Sequence, residues 1–313
     1  MKAIVLKEPG TADQLMISEI SIPLIRDEEV LVEVKVIGIN PIDIKTRKGK
    51  GRYERLKAEN PIILGWDISG VVKASKSDLF KAGDEVFGMV DFSEHGHGKA
   101  YAEYVAAQAA HLSLKPKNIS HQEAAGATLA ALTAWQAIVK AGVKKGDRVL
   151  IHAAAGGVGH FAVQMAKHLG AFVAGTSSEK NKDFVLSLGA DQHIDYAANP
   201  FETQVKDIDF VLDSMGTDHI DRSLEIMNSG GTLISIPSGL NAGVEEKSRV
   251  KGVNGYATSV QSSGEDMKTI AGLLEKGIVK SHISGSYPFD QMAAAHHQME
   301  SGRTVGKIVV TLP

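Results

Sequence analysis

The chain contains no cysteine, which excludes disulfides, thiolate nucleophiles, iron–sulfur clusters and cysteine-ligated zinc. Redox chemistry would therefore need a borrowed cofactor. A long apolar run is also missing. Stretches such as Ile151 to Ala155 fall far short of the ~20 residues that a membrane helix requires, and Met1-Lys2-Ala3-Ile4-Val5-Leu6 leads straight into Lys7-Glu8-Pro9-Gly10. We read a soluble, cytoplasmic protein with no targeting peptide and no membrane partner. Nor is there an excess of charge of one sign. The 34 Lys+Arg against 37 Asp+Glu leave a formal net charge of −3, a field that does not favour a nucleic-acid partner. What is present is 313 residues, 43% of them hydrophobic, enough for about two domains with a core each.

The first third reads as mostly β. Short apolar runs end at Gly, Pro or Asp, and in Val30-Leu31-Val32-Glu33-Val34-Lys35-Val36 the charged residues share one face, the period-2 signature of a half-buried strand. Near Ser120 the character changes: Ser120-His121-Gln122-Glu123 is a capped helix entry, with helix expected over Ala124 to Val139. From Arg148 on, apolar strands alternate with helical runs, among them a helix over Ile220 to Met227. That alternation specifies an α/β doubly wound parallel sheet. A final extended run, Lys307 to Leu312, returns most economically to the N-terminal β region. The expected domains are therefore 1–122 completed by 265–313, and 123–264, with no internal repeat.

The turn after the first strand of the alternating half is Ala154-Ala155-Gly156-Gly157-Val158-Gly159. It matches the dinucleotide fingerprint G-x-G-x-x-G with Ala154 in place of the first glycine. Gly156 would let the backbone approach a pyrophosphate and Gly159 would let the helix lie close on the strand, with helix-start amides aimed at the anion. Beyond the second strand stand Ser177, Ser178, Glu179 and Lys180. The hydroxyls and the lysine point to NADPH, with Ser177, Ser178 and Lys180 as ligands of the 2′-phosphate; Glu179 is expected to open a helix and face water.

These residues carry a likeness. Gly146-Asp147, Leu150, Ala154 to Gly157, Gly159, Gln164 and Lys167 resemble the signature of the quinone oxidoreductase (zeta-crystallin-like) family of medium-chain dehydrogenases/reductases. The resemblance continues through Asn40-Pro41-Ile42-Asp43, Leu64-Gly65-Trp66-Asp67, Gly83 to Gly88, Tyr101 to Val105, Ala130 to Ala134, Asp213-Ser214-Met215-Gly216 and Gly306-Lys307-Ile308-Val309. It implies an N-terminal GroES-like β domain, a Rossmann domain, and a C-terminus returning to the first. Ser214, Ser235 and Lys307 are implied as further cofactor contacts.

The resemblance also implies what is missing. Zinc-dependent relatives carry a cysteine ligand where Asn40 stands, a relay hydroxyl at Ile42 and a His-Glu pair at Trp66-Asp67. What remains suits a zinc-independent, NADPH-dependent reductase of quinones or α,β-unsaturated carbonyls, with a cleft between domains and a homodimeric assembly. Alternatives are an enone reductase without quinone activity and a non-catalytic NADPH-binding sensor or structural protein. Asn40 could donate to a developing oxyanion or simply occupy the turn before Pro41; Tyr53 and Thr133 are the other catalytic candidates by position. Asp43 and Asp67 are expected to organise loops rather than titrate. His95-Gly96-His97 offers two imidazoles without a fixed third ligand, and His296-His297, adjacent on a helix, face different directions. No metal site is expected.

Overall fold

In the computed structural model the described residues are 1–92 and 98–313; His95-Gly96-His97 lies outside them. The chain divides into two compact units, Met1–Leu132 with Gln261–Pro313, and Thr133–Val260.

The first unit opens with β1 (Lys2–Leu6), paired antiparallel with β2 (Leu15–Glu19). The alternating run forms β3 (Glu29–Ile39), in which Val30, Val32, Val34 and Val36 are buried while Glu33 and Lys35 stay half-exposed. There follow α1 (Pro41–Arg47), α2 (Tyr53–Leu56), β4 (Ile62–Ile63), β5 (Asp67–Ser75), β6 (Glu85–Met89), β7 (Tyr104–Gln108), β8 (Leu112–Leu114) and α3 (His121–Gly126).

The expected single helix over Ala124 to Val139 is instead two, α3 and α4 (Leu129–Ala141). Thr128 Oγ1 donates to Ala125 O at 2.8 Å, and the Leu129 N–H donates to Asp67 Oδ1 at 3.1 Å, so the second helix starts on a buried carboxylate. The cap before α3 forms as read: Glu123 N–H donates to Ser120 Oγ at 3.2 Å, and Ser120 N–H to Glu123 Oε2 at 2.8 Å.

The second unit alternates β9 (Arg148–Ile151), α5 (Gly159–His168), β10 (Phe172–Ser177), α6 (Lys182–Ser187), β11 (Gln192–Asp195), β12 (Ile208–Asp213), α7 (Asp218–Leu224), β13 (Met227–Ser235), α8 (Val244–Val250) and β14 (Asn254–Ala257). Its sheet is parallel, in the order β11-β10-β9-β12-β13-β14. The winding direction reverses beside β9, so the turn after β9 lies at the carboxyl edge where doubly wound sheets bind ligands. The apolar spacing carried the helix to Met227, but Met227 pairs with Ile208 and belongs to β13: sheet pairing overrides a local helical pattern. β14 was not anticipated, because this edge strand of exposed and half-buried residues has no apolar alternation.

The chain then returns to the first unit through α9 (Gly264–Glu275), β15 (Ile283–Pro288), α10 (Met292–Glu300) and β16 (Lys307–Thr311). β16 pairs antiparallel with β3, Val309 opposite Gly38, in a sheet ordered β15-β16-β3-β5-β6-β8 with β7 also on β3. The last strand therefore completes the N-terminal sheet, as the sequence predicts.

Candidate functional site

The turn after β9 is built by close packing. A side chain at Gly159 would collide with the Ala153 carbonyl oxygen and stand 2.8 Å from Ala154 Cα, so only glycine lets α5 begin this near the strand. Ala154, where the fingerprint has glycine, is accommodated from the neighbouring strand: a Cβ on Gly175 of β10 would lie 2.7 Å from the Ala154 methyl. The glycine has in effect moved across to β10. At Gly156 a Cβ would meet only Ala153 atoms, the carbonyl oxygen at 3.2 Å, so its other side is open. Gly156 N–H donates to Ala153 O at 2.8 Å and His160 N–H to Gly156 O at 3.1 Å. Between them the amides of Gly157, Val158 and Gly159 have no acceptor among the described residues, the condition of a helix N-terminus that takes an anion.

At the end of β10, Ser177 is buried, with Oγ 2.9 Å from His193 Nε2 and 3.1 Å from Ser178 O, to which it donates. Ser178 is half-buried and accepts from Asn181 Nδ2 at 3.3 Å, whereas Lys180 is exposed. Glu179 is exposed and pairs with Lys182 at 3.3 Å. At the end of β12, Asp213 accepts from the Met215 and Gly216 amides at 2.9 and 3.0 Å and from Ser235 Oγ at 2.6 Å. Ser235 is thereby committed to the loop carboxylate. Two buried hydroxyls at the carboxyl edge, Ser214 Oγ after β12 and Thr258 Oγ1 after β14, have no hydrogen-bond partner. Neither hydroxyl is committed within the protein, so both keep the capacity to bond a ligand's polar atoms. Thr133 is buried on α4.

In the first unit the structure gathers Asn40, Asp43, Asp67, Tyr101, His296 and Lys307, all buried. Asn40 Nδ2 donates to Asp67 Oδ2 at 2.8 Å, and Lys307 Nζ donates to Asn40 Oδ1 and, at 3.0 Å, to Ile39 O. Asn40 N–H donates to Asp43 Oδ2 at 2.7 Å, capping α1. Both ends of the Asn40 amide are thus engaged within the protein. Burial pushes the Asp43 carboxyl up to about 8, against the Asn40 amide bond that favours its charge. Burial also raises Asp67, opposed by Lys307, and lowers Lys307, opposed by Asp67 and Asp43. Tyr101 Oη lies 2.9 Å from His296 Nε2. His297 by contrast is exposed, so the paired histidines do face apart. Tyr53 is half-buried at the start of the one-turn α2.

Residues 26–117 match the alcohol dehydrogenase GroES-like domain family, and residues 188–310 the zinc-binding dehydrogenase family. A 2-methylene-furan-3-one reductase of Solanum lycopersicum is 33% identical over 320 residues, covering 99% of this chain and 79% of that protein. A chloroplastic NADPH-dependent alkenal/one oxidoreductase of Arabidopsis thaliana matches with the same identity and coverage. The solved quinone oxidoreductase of Coxiella burnetii superposes with a TM-score of 0.94 at 34% identity, covering 100% of this chain and 99% of that one. The chain belongs to the quinone oxidoreductase family of medium-chain dehydrogenases/reductases.

Within this quinone oxidoreductase family member the turn fits a dinucleotide: three free amides, an open side at Gly156 and two orphaned hydroxyls share the carboxyl edge of one sheet. The cofactor candidates divide into those with free capacity (the turn, Ser178, Lys180, Ser214) and those already engaged: Ser177 with His193, Ser235 with Asp213, and Lys307 within the first unit. Among the described residues no group of three or more His, Asp or Glu could hold a metal ion, and none of their helices is long and apolar enough to cross a membrane. Sequence reading passed over His152 and Thr176, buried polar residues at the ends of β9 and β10 that bond one another under the turn. The available signal was a histidine and a threonine inside apolar strand ends, which must find partners there.

Proposed function

We propose that this protein is a zinc-independent, NADPH-dependent reductase of quinones or of carbon–carbon double bonds conjugated to a carbonyl. The observation that carries it is the β9–α5 turn, whose free amides lie at the same carboxyl edge as two unpaired hydroxyls, in a chain whose relatives are named for these reductions. When bound, NADPH supplies a hydride from nicotinamide C4. The amides of Gly157, Val158 and Gly159 would hold its pyrophosphate, Ser178 and Lys180 the 2′-phosphate, and Ser214 and Thr258 its remaining polar atoms. Zinc independence is supported by residue chemistry: the chain has no cysteine, and where zinc-dependent relatives carry a ligand, the Asn40 amide is held by Asp67 and Lys307. A cytoplasmic homodimer belongs to the same proposal and is tested by gel filtration and cell fractionation.

The deciding experiment follows NADPH oxidation against a panel of quinones and enones, with and without a chelator. Turnover unaffected by chelation is expected. Loss of activity that zinc restores would overturn the metal-free reading; tight NADPH binding with no oxidation by any acceptor would replace the reductase with a non-catalytic NADPH-binding protein.

A further inference from the structure

His152 lies directly after β9, buried, with its N–H donating to Leu212 O at 3.0 Å. Its Nδ1 is 3.3 Å from Thr176 Oγ1 and its Nε2 3.0 Å from Ser223 Oγ. Thr176 Oγ1 also accepts from the Ala153 N–H at 3.1 Å, and Thr176 O accepts from the Ala154 N–H at 2.8 Å. Ala153 has φ +50°, a left-handed conformation that is strained for a residue with a Cβ and persists only where the surroundings enforce it. From that residue the turn starts, since Ala153 O accepts the Gly156 N–H.

The hydrogens can be assigned by what each group must do. Thr176 Oγ1 accepts from Ala153, so its own hydrogen is available for Nδ1, leaving Nε2–H to donate to Ser223. A proton on Nδ1 would turn the threonine hydroxyl hydrogen away. Burial, working against the attraction of Asp213, holds the imidazole down to about 4 and so neutral near pH 7. The ring is fixed by edge contact with Phe201, centroids 4.6 Å apart.

We propose that His152 is a positioning residue for cofactor binding, which orients Thr176 so that the Ala153 amide, and with it the left-handed start of the glycine turn, is held in place. The inference rests on the reading that this turn holds the NADPH pyrophosphate. Without the imidazole, Thr176 can rotate, Ala153 can relax to negative φ, and the amides of Gly157 to Gly159 lose their common direction.

The test compares NADPH with adenosine 2′-monophosphate, which carries the adenosine and its phosphate but no pyrophosphate. His152→Phe keeps a flat ring and removes the acceptor. It should raise the NADPH dissociation constant about tenfold, the order expected for one buried hydrogen bond, while affinity for adenosine 2′-monophosphate stays within about twofold. In steady state the loss should fall on KM for NADPH rather than on kcat. His152→Asn can set its oxygen where Nδ1 stands and should recover most of the affinity; His152→Gln, which reaches to the Nε2 side, should not. Thr176→Val, equal in shape, should reproduce His152→Phe, and the double variant should lose no more than either alone.

NADPH affinity unchanged in His152→Phe, a parallel loss of adenosine 2′-monophosphate, His152→Gln rescuing as well as His152→Asn, or additive losses in the double variant would each overturn the inference. Should His152→Phe fail to fold, Thr176→Val decides by the same comparison. If the unmodified protein does not bind NADPH, the cofactor reading falls with this one; if it does and the variants match it, this inference alone falls.

Discussion

Two glycines three positions apart in one turn do opposite work. A side chain at Gly156 meets little but the Ala153 carbonyl, whereas at Gly159 it strikes the strand backbone. Gly156→Val should therefore leave the unfolding midpoint nearly unchanged and abolish NADPH binding, while Gly159→Val should lose the folded second unit itself, as circular dichroism and nucleotide titration will show. Cofactor preference is also a residue-scale matter. Ser177 is spent on His193, so under the proposed cofactor assignment Lys180 should carry more of the 2′-phosphate contact than Ser177. Lys180→Ala should erode an NADPH-over-NADH preference of at least about tenfold, since a charge-assisted bond is worth about 1.5–3 kcal/mol, and Ser177→Ala should barely change it. Equal loss in both, measured as a ratio of dissociation constants, would reverse that assignment.

Helix α10 is tied to α1 by a charge that never reaches water. The Arg47 side chain is fully buried, its Nη2 2.6 Å from Glu300 Oε1, and the exposed Lys48 adds a second contact at 2.6 Å. Partial burial works against ionisation of Glu300, but the bonds from Arg47 and Lys48 outweigh it and hold the carboxyl at about 2. Glu300→Gln leaves a buried guanidinium without its counter-charge and should cost about 3 kcal/mol in urea unfolding, the low end for a broken buried pair because Glu300 keeps some water contact. The stabilisation of this pair is complete above about pH 4.5 and fades as pH falls toward 2. The variant should accordingly lack the steepest part of the parent's acid unfolding.

The β9 strand, its turn and α5 were legible in the sequence because strand, glycines and helix are consecutive and each pattern is local. The first unit's polar cluster was not: Asn40 meets Asp67 across 27 residues and Lys307 across 267, and no period links positions that far apart. Asn40 was singled out by resemblance alone, and its amide is turned to the protein's own carboxylate and ammonium.

For the whole molecule, the buried Asp43 sets a pH dependence of sign opposite to that of Glu300. Its carboxyl titrates at about 8 when folded and near 4 when unfolded, so between those values folding takes up a proton and stability falls as pH rises. Asp43→Asn keeps an oxygen for the Asn40 amide and removes that titration. Relative to the parent, its melting temperature should improve from pH 5 to about pH 8 and level off above it, and parallel melting curves would show that Asp43 is ionised throughout.

The pairing of β16 with β3 has a consequence for how the chain is made. The second unit is one uninterrupted stretch, Thr133–Val260, and can fold as it leaves the ribosome, in the manner of domains completed during synthesis. The first unit cannot. Its opening segment supplies Asp67 but waits for Lys307, on the returning strand β16, to deliver the cation that pairs with it. Until β16 is in place the Asp67 carboxylate lacks that cation, so the newborn N-terminal half is held immature by chemistry as well as by a missing strand, and a chain without β16 would carry a finished second unit on an unfinished first one.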